Sequence, residues 1–365
     1  MEDCDVCRRN DSKDDQTVTF VQSFNDSSYS NEITPTELFL SLMEFTKWAI
    51  LIVISFGVAG NCVSFYIFTK SSLKKLSSSR YLSAIAFVDM GCLLSTLCTH
   101  LLQLNINMLY VNGICPLVTY INFICTFLSI WYVTALVCEK FIGLYFPTKK
   151  ARYCTVFRAK CVIIAFAVLA VVCYHYITWT VGYTSMFCLP WPENELNETY
   201  EKLSKVDEIV VSVIPYLIIL ILSCLIAIKM WKSYKRKRST GFRLHRRQTA
   251  FVPQDKEYKT SGLVLLVSIV TFCLGITYSI FRVFKIMNPQ EMMTISQFLQ
   301  INSYAIKPYM YLLASRPYRK YIWKFVIPII SCNRWFQNSS PAEMQAISQQ
   351  SDSGRAIEII MEKSM

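Results

Sequence analysis

The sequence predicts an all-α membrane protein, a seven-transmembrane-helix bundle with a short amphipathic eighth helix. Three observations point there. Apolar stretches of about 20 residues recur, each long enough to cross a bilayer's hydrocarbon as a helix. Lys and Arg collect in every second loop between them, which is the pattern that fixes orientation in a membrane. Three N-glycosylation triplets lie on the side away from those bases.

The composition excludes simpler readings. Of 365 residues, 53% are hydrophobic and 17% charged, and the apolar ones come in blocks too long for ordinary core helices. A net charge of +12 raises nucleic acid as a partner. The bases sit in particular loops, however, so membrane orientation accounts for them and no nucleic acid is expected. Most of the fifteen cysteines lie inside apolar runs, where cysteine behaves as a small buried hydrophobe.

Met1–Lys47 carries ten acidic and four basic residues and reads as a disordered extracellular tail. Its Cys4 and Cys7 either pair with each other or stay free. The next run, Trp48–Phe68, is too long for the apolar core of a cleavable signal peptide; it is the first span. Further spans are expected at about 81–104, 115–138, 158–181, 207–231, 260–285 and 294–314. The third is central: the uncharged run Leu117–Val137 leads into Glu139 and Lys140, where the helix emerges. The expected division is tail 1–47, bundle 48–314, interfacial helix 315–327 and cytoplasmic tail 328–365.

The loops after spans one, three and five hold the bases: Lys70, Lys74, Lys75 and Arg80; then Lys149, Lys150, Arg152, Arg158 and Lys160; then the run from Lys229 to Lys259. The alternate loops hold few. The first set is therefore cytoplasmic and the N-terminus extracellular. Asn10, Asn25 and Asn197 head the glycosylation triplets on the outer side; Asn338 falls inside and is expected to be unused. Cys115 and Cys188 both lie on the oxidising outer face, and a disulfide between them is expected. It would hold the loop after span four over the bundle mouth. Past span seven, Ser315–Phe325 alternates bases with aromatics at helical spacing, an amphipathic helix in the inner interface. Cys332 is a palmitoylation site or a plain free thiol. The serines beyond it are phosphorylation targets or a solvated end.

Residues inside the spans carry a resemblance. Gly60-Asn61, Asp89, Glu139-Lys140-Phe141 followed by Pro147, Pro215, Lys307-Pro308-Tyr309-Met310-Tyr311, and Tyr318-Arg319 occur in this order. Together they resemble the rhodopsin-like (class A) G-protein-coupled receptors over nearly all of residues 48–325, with a general resemblance to the invertebrate-type neuropeptide receptors among them. Lys140 stands where the family has Arg, Lys307 where it has Asn, and Ser223 where it has a span-five Tyr. The span-four Trp is missing. In span six, Leu274-Gly275-Ile276-Thr277 replaces Cys-Trp-x-Pro, so the usual Trp and kinking Pro are absent.

The resemblance implies a plasma-membrane receptor that couples an extracellular ligand to a heterotrimeric G protein, with arrestin as a further partner. It implies an activation switch of Glu139, Lys140, Glu257 and Tyr311. In it Lys140 pairs with Glu139 or Glu257; the alternative is a lysine snorkelling to the interface. It places Asp89 in a buried polar pocket with Asn61, Ser129, Ser303 and Lys307. An ammonium there needs a partner, so Lys307 is expected to pair with Asp89 and to take the place of the sodium ion that family members commonly hold. In the alternative, Lys307 snorkels inward and Asp89 is neutral or water-paired.

The ligand pocket is expected from His100, Gln103, Asn122, His175, Tyr278, Arg282 and Lys285. Asn122 occupies the place of the amine receptors' aspartate, which argues against a cationic amine. Ile301 occupies the place of the opsins' retinal lysine, which argues against a light receptor. Arg282 and Lys285, one turn apart, suit a peptide's carboxylate or carbonyls. A neuropeptide ligand is the leading expectation; solvated helix ends and an interfacial aromatic belt are the plain alternatives for the same residues.

No enzyme motif is present, the three histidines lie in different segments, and neither metal nor cofactor is expected. Two other functions stay open. A chemosensory or non-G-protein-coupled receptor on the same fold is kept alive by the altered span six. A transporter or channel would need internal repeats, and none is seen.

Overall fold

The structure is a computed structural model that describes residues 35–104, 113–184, 187–190, 194–240, 252–284 and 289–323. The chain divides into two units, Met1–Phe45 and Thr46–Met365. Of the first, the helical backbone from Pro35 is described. Apart from the backbone of the first turns of α1, everything below concerns the second.

In chain order come α1 (Pro35–Lys70), a short 3-10 turn, α2 (Ser77–Gln103), α3 (Ile114–Tyr145), α4 (Pro147–Tyr153), α5 (Val156–Cys173) and α6 (Ile177–Thr180). A hairpin of β1 (Val181–Thr184) and β2 (Phe187–Pro190) follows, then α7 (Asn194–Asp207), α8 (Ile214–Thr240), α9 (Val252–Phe284), α10 (Pro289–Ala305) and α11 (Lys307–Ala314). Residues 316–323 form one more short helix, α12.

Local chemistry sets the boundaries. Gly113 starts α3 at φ 88°, a left-handed conformation that suits glycine. Pro147 opens α4, where a missing N–H costs nothing. The Thr155 hydroxyl accepts from the Arg158 amide and caps α5.

Among the described residues, six helices are long and apolar enough to cross a membrane, and they fall on the first six expected spans, the sixth over Thr260–Thr277. The seventh is split. Pro308 has no N–H for the Tyr304 carbonyl one turn earlier, so the ladder breaks at Ile306 and α10 and α11 are separate helices. The fourth span is also interrupted, where 158–181 was expected to be continuous. After Cys173 the bonds tighten to the i→i−3 type, as in Ile177 to Tyr174 and Thr178 to His175. In the fifth, a π-helical turn, Glu208–Val213, joins α7 to α8 just before Pro215, which has no N–H for the Val211 carbonyl.

The core runs along α3, whose Leu136, Val137 and Val133 are almost wholly buried between neighbouring helices. α1 meets the seventh span through glycine. A Cβ on Gly57 would stand 2.8 Å from that of Ala305, and one on Gly60 would stand 3.0 Å from that of Pro308. Such close approach is how helices pack where lipid supplies no hydrophobic drive.

Candidate functional site

Three helices bring one charged cluster into the core. Asp89 comes from the middle of α2, Ser129 from the middle of α3, and Lys307 from the first position of α11. Lys307 Nζ lies 2.9 Å from each Asp89 carboxylate oxygen and 2.8 Å from Ser129 Oγ. The Ser129 hydroxyl donates in turn to Asp89 Oδ1 at 2.6 Å. All three ammonium hydrogens thus have acceptors, the condition for holding a charge in a low-dielectric interior. The ammonium also lies 5.5 Å over the Tyr304 ring. Lys307 is 2% exposed, so it does not snorkel out. Its place at a helix N-terminus sets a cation against the helix dipole, and the Asp89 carboxylate offsets both.

Asn61 and Ser303 flank this cluster without joining it. Asn61 donates to the Gly57 carbonyl at 3.0 Å and to the Tyr304 carbonyl at 3.2 Å. The second is the very acceptor that Pro308 leaves open, so Asn61 mends the broken seventh span. Ser303 donates to Gln300 on its own helix at 2.7 Å. Beside Lys307 lies a cavity of about 30 Å³ with Ser129, Ser303, Thr271, Gly275 and Tyr216 in its wall. It has room for one or two waters. The Thr271 hydroxyl on that wall is buried and has no hydrogen-bond partner.

Beside Gly275, Tyr216 of α8 fills the space. A Cβ on Gly275 would overlap the Tyr216 hydroxyl and ring. Tyr216 also packs edge-on against Phe272, with ring centres 6.1 Å apart.

At the Glu139 end of α3, the Glu139 carboxylate accepts from the Ser77 and Ser78 hydroxyls at 3.0 and 2.7 Å. Lys140 is buried beside it. The Tyr145 hydroxyl donates to the Leu225 carbonyl of α8 at 2.9 Å. Tyr311 is fully buried, packed against Phe68 and Tyr318, and its hydroxyl has no partner. The side chain of Glu257 lies outside the described residues.

At the opposite end a disulfide joins Cys115 to Cys188. It ties the β-hairpin, where Tyr183 faces Cys188, to the start of α3. His100 is fully buried, and its Nε2 lies 3.0 Å from the Lys47 carbonyl; it braces α2 against α1 and offers no surface to a ligand. Asn122 donates to Ser95 Oγ at 2.9 Å and Thr96 Oγ1 at 3.2 Å, locking α3 to α2. His175 is exposed, with the Trp179 ring 5.1 Å away. The backbones of Gln103, Tyr278 and Arg282 lie in helices, but their side chains, like all of Lys285, Asn10 and Asn25, fall outside the described residues. Asn197 lies in α7, its side chain likewise outside.

Residues 60–311 match the family described as 7 transmembrane receptor (rhodopsin family). The chain belongs to that family. As a rhodopsin-family receptor it is a multi-pass membrane protein and not an enzyme. Among similar proteins is the human (Homo sapiens) growth hormone secretagogue receptor type 1, 23% identical over 308 residues, 74% of this chain and 77% of that receptor. Its counterpart from Sus scrofa is 25% identical over 309 residues, with the same coverage.

Several partners in this receptor's interior were not singled out from sequence. From sequence Gly275 is only part of the altered span-six motif; that Tyr216 occupies the space beside it carries no sequence signal of its own. Ser77-Ser78-Ser79 is a conspicuous polar run at the start of α2. Tyr174, buried just past the end of α5, donates to Asp207 of α7, a link with no local motif.

Proposed function

We propose that this rhodopsin-family chain is a plasma-membrane receptor with an extracellular N-terminus, which binds an extracellular peptide and activates a heterotrimeric G protein. The observation that carries the proposal is the buried Lys307–Asp89–Ser129 cluster. It joins α2, α3 and α11 through charges that tolerate few arrangements, so the bundle has discrete packings for a ligand to choose between. A ligand at the disulfide-bearing end and a G protein at the Glu139 end would each raise the other's affinity by linkage.

Three features support a peptide over a small amine. Asn122 is a neutral amide, already donating to α2, where an amine would need a counter-ion. The disulfide Cys115–Cys188 ties a β-hairpin to the start of α3, at the end where a peptide would enter. The similar proteins are named as receptors for a growth hormone secretagogue, which supports a hormone-like ligand here. The inner contacts in this reading are the Tyr145–Lys150 segment and the bases from Lys229 onward.

A peptide library applied to the purified receptor in nanodiscs, with nucleotide exchange on added G protein as the readout, tests this. A peptide that drives exchange, and fails to with Lys140→Ala, supports it. The replacement of the span-six Trp by Gly275 favours a second reading, a receptor that signals without a G protein; peptide binding with no exchange on any G-protein class would select it.

A further inference from the structure

Two free cysteines meet inside the bundle. Cys92 of α2 is fully buried, and Cys125 of α3 is half-buried beside it. Each sulfur reaches the other's chain neighbour. Cys92 Sγ lies 4.0 Å from Thr126 Oγ1, and a Cβ on Gly91 would stand 2.5 Å from Cys125 Sγ. The two thiols interact directly. Gly91 permits the meeting, since a side chain there would displace Cys125. Cys161, Cys173, Cys224 and Cys273 are by contrast exposed, each a small hydrophobe against lipid.

The surroundings of the pair are polar on one side. Thr126 stands with Ser129, Tyr304 and Lys307 in the wall of the 30 Å³ cavity, so a molecule little larger than water comes within one side chain of Cys92. Cys92 lies one turn along α2 from Asp89, and Cys125 one turn along α3 from Ser129. Each cysteine therefore shares a helix face with a member of the charged cluster. The pair is on the side of that cluster nearer the Cys115–Cys188 disulfide.

Two touching thiols in a core have two chemical uses. A thiophilic metal ion would require both as thiolates, and their charge would have to be held away from water. A disulfide carries no charge, so burial does not oppose it.

We propose that Cys92 and Cys125 form a redox site, a dithiol that hydrogen peroxide converts to a disulfide between α2 and α3. Cys125, the more open of the two, gives up its proton, and its sulfur attacks one peroxide oxygen. The O–O bond breaks, the departing hydroxide takes up that proton as water, and Cys125 becomes a sulfenic acid. The Cys92 sulfur then attacks the Cys125 sulfur. The S–O bond breaks, and the hydroxyl leaves with the Cys92 proton as a second water. The two thiols lose two electrons, and one peroxide is reduced to two waters. A small thiol reverses the bond by exchange. The bond pins α2 to α3 one turn from Asp89 and Ser129, and so holds the charged cluster in one packing. The site goes beyond the receptor reading and does not rest on it.

The test treats the full chain in nanodiscs with hydrogen peroxide, alkylates free thiols in denaturant, and reads an unreduced digest by mass spectrometry. A peptide pair joined through Cys92 and Cys125 is expected beside the Cys115–Cys188 pair. It is expected to vanish with dithiothreitol and to be absent from Cys92→Ala and Cys125→Ala. Peroxide is also expected to raise the melting temperature of the wild-type chain and not of Cys125→Ala, because a cross-link restricts the unfolded chain. Recovery of both thiols fully alkylated while Cys161 or Cys224 is oxidised overturns the site. So does Cys125 halted at sulfinic acid with Cys92 still free. A bond that leaves the melting temperature unchanged belongs to an unfolded fraction and overturns it too. A metal ion that rides on the untreated chain in native mass spectrometry and shields both thiols would give the pair to the metal instead. The digest of the wild-type chain needs no variant, so a misfolded variant does not spare the proposal. No arm uses a ligand or a G protein, so failure here leaves the receptor reading intact.

Discussion

Lys307 Nζ lies 2.9 Å from both carboxylate oxygens of Asp89, and neither side chain reaches solvent. Such a pair is held by mutual satisfaction, since each charge alone would be stranded. Asp89→Ala or Lys307→Ala is expected to cost about 3–5 kcal/mol. The neutral double variant Asp89→Asn, Lys307→Met is expected to melt much closer to wild type, because no charge is left unpaired. Thermal unfolding of the purified receptors, read as a double-mutant cycle, measures this. Strictly additive single effects would mean the two charges do not meet.

The same geometry bears on ion dependence. Other family members commonly hold a sodium ion on the aspartate at this place. Here a tethered ammonium takes both carboxylate oxygens and the Ser129 hydroxyl. Agonist affinity is therefore expected to be unchanged when sodium is titrated against a large organic cation at constant ionic strength. In Lys307→Met the site is freed, and a sodium effect is expected to appear. A specific, Asp89-dependent sodium effect in the wild-type chain would refute the displacement.

Much of this interior was legible before any coordinates. Hydrocarbon length marked out the apolar helices, because a backbone in lipid leaves few alternatives. That Lys307 needs an opposite charge or a way out to the interface was legible for the same reason; that Asp89 supplies the charge was implied by the family resemblance. What the sequence did not reveal depends on packing. The split of the seventh span follows from Pro308, but that Asn61 would mend it needs α1 to lie alongside, a contact across 243 residues of sequence. His100 reads as a mouth residue by its position along α2, yet the rotation of the helix turns it to the Lys47 carbonyl. Helical spacing alone does not fix that rotation in a span that is apolar all round.

Gly275 and Tyr216 form the second couple open to test. Any Cβ at 275 overlaps the tyrosine ring, so Gly275→Ala is expected to cost about 1–3 kcal/mol by overpacking. Adding Tyr216→Ala to that background is expected to recover part of the loss, whereas on its own Tyr216→Ala opens a cavity and destabilises. Melting temperatures of the three variants decide it. If Tyr216→Ala worsens Gly275→Ala by its full separate cost, the two residues are not in contact.

Glu139 shows how the end of α3 is held. Its carboxylate accepts from two α2 hydroxyls, Ser77 and Ser78, and hydrogen bonds to a charged acceptor are worth about 1.5–3 kcal/mol each. If this end opens to admit a G protein, loosening α3 from α2 shifts the bundle toward the open packing. Glu139→Gln keeps the shape but removes the charge, and is expected to raise ligand-free nucleotide exchange by roughly tenfold, the equivalent of about 1.4 kcal/mol. Ser77→Ala with Ser78→Ala is expected to do the same while leaving Glu139 and Lys140 in place. That second variant separates a serine-held carboxylate from one that works only through Lys140. Silence in the serine variant alongside a response in Glu139→Gln would move the restraint from α2 to Lys140.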